Sequence, residues 1–275
     1  MKSPRIRLDE LLLQHGQVST REKARALILS GRVQVPGVTH PKPGLKVAAE
    51  TELRVTPGAD YVSRAGVKLA HALDRFGVDP AGRVCADIGA STGGFTDCLL
   101  RRGAARVYAV DVGYGQLDWA LRQDERVVVL DRTNARYLES LPEAPTLVVI
   151  DVSFISLRLI LPAAERVSAT DVEVVALVKP QFEAGRGQIG KGGIIRDPDV
   201  HAEVLHSLDG WLSSQKWRLV GLTPSPITGA GGNAEFLAHL RPGAHASLDP
   251  DTSRGAMIER ALEAVTQVIS GEREP

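Results

Sequence analysis

Apolar and polar positions alternate in two different ways along this chain, and the change falls near residue 60. Before it, the apolar residues come in short groups. RLDELLLQ, at residues 7–14, has helical spacing and is followed by Gly16. Ser19-Thr20-Arg21-Glu22 has the form of a capping box, with Ser19 as cap and Glu22 reaching back to its amide. The helix so started carries Ala24, Leu27 and Ile28 at spacings of three and four, and Gly31 is placed to end it. Three β-like pieces follow, Val33 with Val35, Leu45 with Val47 and Leu53 with Val55, each bounded by Gly or Pro. Residues 1–56 therefore read as a small α+β unit with a thin core. Residues 57–66 hold turn formers without periodicity and read as a linker.

From residue 67 to 275 the pattern becomes β/α. VKLAHALDRF (67–76) has helical spacing; VCADIGA (84–90), RVYAVDVG (106–113), RVVVLD (126–131), TLVVID (146–151) and VEVVALVKP (172–180) are short apolar runs. PDVHAEVLHSLDGWLSS (198–214) reads as a helix after a glycine-rich loop. Buried strands separated by helices predict an α/β, Rossmann-like, doubly wound and mostly parallel sheet. Ligands in such sheets sit at the carboxyl ends of the strands. Asp87, Asp111, Asp131, Asp151 and Lys179 all fall at those ends.

Composition narrows the class. Only two cysteines occur, Cys85 and Cys98, with no CxxC or Cys/His cluster, which argues against a disulfide framework and against structural zinc. The N-terminal residues lack the apolar core of a signal peptide and charges interrupt every long apolar stretch, so the expected setting is the cytoplasm, with no membrane partner. Net charge is zero, but it is unevenly spread. Residues 1–50 hold nine Lys/Arg against four Asp/Glu, and the rest hold 24 against 29. A basic head on an acidic body suits a module that docks on phosphates.

Asp87-Ile88-Gly89-Ala90-Ser91-Thr92-Gly93-Gly94-Phe95 joins the first strand of the second domain to its helix. Glycines let the backbone turn sharply there, and the helix N-terminus offers free amides. Asp111 ends the next strand, 22 residues after Gly89, where a carboxylate can accept bonds from ribose hydroxyls. An adenosine-bearing ligand follows. Ser91 stands where a dinucleotide fingerprint needs its second glycine, which disfavours NAD or FAD. S-adenosylmethionine has no phosphate; it would use Asp87, Gly89, Ala90, Ser91, Gly93, Gly94, Phe95 and Asp111, with Asp131 for its adenine. Gly185 to Gly192 nearly spells a P-loop, but Gly192 replaces the Ser/Thr and no helix follows directly. It reads as a mobile basic loop touching RNA through Arg186, Lys191 and Arg196.

Two resemblances sharpen this picture. R-x-R-L-D-x-L-L, then S-x-R, A-x-x-L-I and G-x-V-x-V, resembles the S4 RNA-binding domain, which implies that Arg5, Arg7, Arg21, Lys23, Arg25 and Arg32 meet RNA phosphates. D-I-G-A-S-T-G-G-F-T-D-C-L-L, V-I-D-V-S-F-I-S-L, L-V-K-P-Q-F-E and G-K-G-G-I-I-R-D-P, in that order, resemble the TlyA family of ribosomal RNA 2′-O-methyltransferases, some first labelled haemolysins. These join an S4 domain to an FtsJ-like methyltransferase domain, and the likeness spans nearly the whole chain. It implies ribosomal subunits as partners, cytidine 2′-hydroxyls as acceptors and a Lys-Asp-Lys-Glu tetrad at Lys68, Asp151, Lys179 and Glu235. Lys179, directly after an apolar strand, would accept the hydroxyl proton or steady the alkoxide; Asp151 and Glu235 would orient the ammonium groups and Lys68 would position the hydroxyl. The mechanism needs no metal. Three other readings compete: a nicotinamide-dependent oxidoreductase, disfavoured by Ser91; a non-catalytic ribosome-assembly factor, which has no need of the tetrad; and a pore-forming haemolysin, which lacks a span of about 18–20 apolar residues.

Overall fold

In a computed structural model of the chain, the described residues are 5–18, 20–29, 33–36, 38, 41–55, 61–243 and 254–271. They divide into two compact units, Met1–Asp60 and Tyr61–Pro275.

The small unit runs β1 (Arg5–Arg7), α1 (Leu8–Gln14), α2 (Arg21–Leu29), β2 (Val33–Gln34), β3 (Lys46–Ala48) and β4 (Arg54–Val55). β1 pairs antiparallel with β3, placing Ile6 opposite Val47, and β2 pairs with β4. Leu8, Leu11, Leu12, Ala24, Ile28, Val33, Val35 and Val47 make its core. Arg7 is not the first helical residue that its motif suggested. Arg5, Ile6 and Arg7 form a strand that turns Ile6 toward the core, as alternation along a strand requires. Ser19, Gly31 and Arg32, and with them the expected caps, lie outside the described residues.

One acid organises the helical side of this unit. Asp9 is fully buried and accepts from Arg7 Nε and Nη2, each at 2.9 Å, and from Arg21 Nε at 3.2 Å. Arg7 first, and then Arg21, hold its carboxyl down to about 2. A depressed carboxyl contributes stability above its unfolded value and loses it as pH falls through the folded one. Asp9→Asn is expected to cost the small unit about 1–2 kcal/mol near neutrality, discounted because both arginines are half exposed. In unfolding experiments the gap between wild type and variant should close as pH drops from about 4 to about 2. A gap that persists at the acid end would assign the loss to packing instead.

The large unit begins with α3 (Ala65–Phe76) and continues β5 (Val84–Ile88), α4 (Gly94–Arg101), β6 (Arg106–Val110), α5 (Trp119–Arg122), β7 (Val127–Leu130) and β8 (Leu147–Ile150). After these come α6 (Leu161–Val167), β9 (Glu173–Val178), α7 (Pro180–Glu183), α8 (Pro198–Ser214), β10 (Trp217–Pro224), β11 (Phe236–Pro242) and α9 (Arg254–Gly271). The strands form one seven-stranded sheet in the order β10-β11-β9-β8-β5-β6-β7. The five from β7 to β9 are parallel, while β11 runs antiparallel to both of its neighbours. The expected mostly parallel, doubly wound sheet is present. The β10–β11 pair and α9 are additions to it.

Both faces of the central strands are covered, so successive side chains enter different cores. Ile88, Val148, Ile150 and Val174 join Leu161, Leu205 and Leu212 on one face. Cys85, Val149, Val175 and Leu177 join Leu69, Leu73 and Leu99 on the other. Residues 61–64, expected in the linker, are instead part of this unit. Tyr61 packs on the second core under Arg101, 5.5 Å from its ring centroid, and Val62 N donates to Asp97 at 2.8 Å. Strand order reverses at β5, which lies between β6 and β8. A crevice is expected outside the carboxyl ends at such a reversal.

Candidate active site

The loop from β5 to α4 is shaped by close approach. Gly89 has φ +89°, and a Cβ there would collide with the Asp151 carbonyl at the end of β8. Gly94 opens α4 against Ser63 and Ala65 of the α3 start, again without room for a side chain. Two adjoining clefts open beside this loop. The larger, about 490 Å³, is lined by Gly89, Ser91, Asp111, Gln116, Thr133 and Asn134 among others. The smaller, about 190 Å³, takes in Ala90, Gly94, Phe95, Ser153 and Lys179. Asp151 lines both.

Asp111 already accepts two backbone bonds, from Ser91 N at 2.8 Å and Gly113 N at 2.6 Å, which leaves it at the cleft with lone pairs to spare. Asp87 is fully buried. One of its oxygens accepts from Thr96 Oγ1 at 2.7 Å; the other is buried with no partner. Burial, with Asp151 nearby, pushes its carboxyl up to about 7. Gly93 lines neither cleft and packs its backbone on Leu117 and Leu121. Asp131, expected at the adenine, is not among the residues that line the two clefts. Its carboxylate is taken by Arg122 Nη2 and Gly115 N and held below the usual range, and Thr133 and Asn134 line the cleft instead.

The four tetrad residues converge. Lys179 follows β9, Asp151 follows β8, and Glu235 precedes β11, where the pairing of Phe236 with Val178 sets Glu235 beside Lys179. Lys179 Nζ lies 2.6 Å from Asp151 Oδ1 and donates to Ser153 Oγ at 2.9 Å. Lys68, from α3, forms an ion pair with Glu235, and both are buried. Burying a charge pair such as Lys68–Glu235 costs desolvation that its attraction need not repay, and a second, partly exposed pair, Lys179–Asp151, stands at the neighbouring strand ends beside the cleft.

Three participants escaped sequence reasoning. Ser153 is the hydroxyl on Lys179. Glu183, half-buried in α7, accepts from Ser156 Oγ at 2.6 Å and Leu157 N at 2.7 Å, tying the segment after Lys179 to the loop after Asp151; desolvation raises its carboxyl. Phe154 has φ +65° and is 90% exposed, its ring 5.1 Å from that of Phe182. A non-glycine residue held there signals a constrained loop, and the V-I-D-V-S-F string was the only available pointer. Among the residues expected to meet RNA, Arg5, Arg25 and Arg196 are exposed. Arg7 and Arg21 are shared with Asp9, Lys23 lies in α2, and Lys191 lies in a short turn, Lys191–Gly193. That glycine-rich segment is tied down: Asn233 Oδ1 accepts from Ile195 N and its amide donates to Gly193 O, both at 3.0 Å.

Five parallel strands, an antiparallel strand inserted beside them, and a glycine loop with acids at successive strand ends define a Rossmann-like methyltransferase domain. A family model of the FtsJ-like methyltransferase matches residues 61–242, and one of the S4 domain matches residues 6–53. The chain belongs to the FtsJ-like methyltransferase family. It is 46% identical over 270 residues to the 16S/23S rRNA (cytidine-2′-O)-methyltransferase TlyA of Mycobacterium tuberculosis, covering 97% of this chain and 98% of that protein. It is 50% identical over 247 residues, 87% of each chain, to a Bacillus subtilis protein provisionally named rRNA methyltransferase YqxC. A solved structure from Streptococcus thermophilus, provisionally named a hemolysin, matches with a TM-score of 0.75 at 43% identity, over 99% of this chain and all of that one.

Proposed function

We propose that this protein methylates a ribose 2′-hydroxyl, that of a cytidine, in ribosomal RNA, and that it uses S-adenosylmethionine. The observation that carries the reading is the convergence of Lys68, Asp151, Lys179 and Glu235 beside the cleft at the strand-order reversal. The relative named for 16S/23S rRNA cytidine-2′-O-methylation supports the acceptor, and the S4 match supports RNA as the partner of the small unit.

The cleft fits the cofactor. Asp111 is placed to accept ribose hydroxyls and Thr133 and Asn134 to face the adenine, while Asp87 lies fully buried behind the glycine loop with one carboxylate oxygen unpartnered. When bound, the cofactor supplies a methyl on a positively charged sulfur. The chain's residues handle the acceptor. Lys179, steadied by Asp151 and Ser153, holds the hydroxyl, takes its proton or balances the oxygen's growing negative charge. Lys68, locked to Glu235, adds a second positive charge beside it and fixes the geometry. Proximity and charge placement are then the main sources of rate.

A substrate in ribosomal RNA supports a cytoplasmic setting for this reading. No described helix is long and apolar enough to cross a membrane. Separated ribosomal subunits lacking the modification, incubated with labelled S-adenosylmethionine, are expected to take up label in their RNA. Cofactor binding without transfer to either subunit would favour the non-catalytic assembly factor instead.

A further inference from the structure

A groove that begins at His71, one turn along α3 from Lys68, has no part in the chemistry described so far. Lys68, His71 and Arg75 stand at i, i+3 and i+7, on one face of α3. That face leads into a groove of about 710 Å³ walled by α3, β10 and α9. The groove is joined to the active site by bonds as well as by the helix. His71 Nε2 lies 3.4 Å from Thr223 Oγ1, and Ser225, just beyond β10, donates its amide to the Glu235 carbonyl at 2.8 Å.

Its lining has a definite chemistry. Phe76, Met257, Ala261 and Ala264 supply an apolar floor, while Arg75 and Arg260 stand exposed on opposite walls. Neither arginine has an ion-pair partner among the described residues. Burial and the neighbouring Arg75 hold His71 below its ordinary value, so the positive charge of the groove comes from the arginines. Among the described residues no Asp or Glu lines it, although residues 51–275 carry 29 acidic side chains against 24 basic ones. A groove of an acidic domain whose described lining has no acid, with two guanidinium forks across it that pair with no described carboxylate, matches a polyanion whose phosphates accept paired donors.

We propose that this groove binds a second stretch of the substrate RNA, holding backbone phosphodiesters away from the target nucleotide; this rests on the reading of the protein as an RNA methyltransferase. Phosphate contacts made here would fix the strand's path into the active site without reading its bases.

The test uses the full chain and ribosomal RNA lacking the modification, with affinity measured between about 50 and 200 mM salt. Arg75→Gln together with Arg260→Gln should weaken RNA binding by about tenfold and flatten the log–log salt dependence by about 1.4, about 0.7 per lost contact. Arg75→Lys with Arg260→Lys, which keeps the charges, should hold the wild-type slope, and cofactor affinity should be the same in all three proteins. If wild type methylates the RNA and the glutamine variant keeps its slope and affinity, the groove assignment is overturned and the functional reading stands. If wild type binds no RNA at all, both are overturned.

Discussion

Lys179→Ala is expected to slow methyl transfer by about 10²–10⁴-fold at saturating RNA, the usual contribution of a positioned proton-transfer group. The lysine is the one tetrad cation that lines the small cleft, and its Nζ is fixed from two sides, by Asp151 and by Ser153. Alanine leaves the acceptor hydroxyl with no cation to offset its charge and no group to take its proton. Asp151 itself should survive the change, because its side chain keeps 18% of its exposure to solvent. Cofactor affinity, measured by calorimetry, should stay within a few-fold of wild type, since Asp111, Thr133 and Asn134 line the other cleft. A turnover loss below tenfold would remove Lys179 from the reacting centre. A collapse of cofactor binding would make its role structural.

Removing residues 1–60 should be about as damaging, through binding instead of chemistry. Tyr61 belongs to the core of the large unit and Val62 is bonded to Asp97, so a cut after Asp60 leaves the catalytic unit with its own packing intact. The small unit has a separate core and a surplus of basic residues. Linking two weak RNA grips raises overall affinity by about 10²–10⁴-fold, so kcat/KM for RNA should fall by about that factor. Cofactor affinity should not change. Full-rate methylation by the truncated protein would mean that the catalytic unit finds its RNA alone.

The central strands were legible because both of their faces are buried: VCADI, LVVI and EVVALV have no polar alternation to confuse them with surface elements. The edge was harder. WRLVGLTP is only half covered and its pairing shifts register between Leu219 and Gly221, so its period is broken and β10 went unassigned, along with β11 and α9. RIR holds a single apolar residue, too few to separate a strand from the first turn of a helix.

At the site, strand ends could be read but side-chain directions could not. Asp87, Asp111, Asp151 and Lys179 stand where the pattern put them. Asp131 also ends its strand, yet Arg122 of α5, nine residues earlier, draws its carboxylate away. Glu183 and Ser156 act through a contact between segments 27 residues apart, which no local spacing reports. The tetrad emerged from motif resemblance, and the ion pairs add how it is divided: Lys179 with Asp151, and Lys68 with Glu235.

The central claim is that the methyl goes to a ribose oxygen of ribosomal RNA, and the position of the label tests it most directly. RNA from each labelled subunit would be hydrolysed in alkali and its products separated. A methyl on the 2′-oxygen blocks cleavage at that nucleotide, so the account predicts label in an alkali-resistant dinucleotide beginning with cytidine, absent with Lys179→Ala. Label released in mononucleotides would place the methyl on a base and contradict the account.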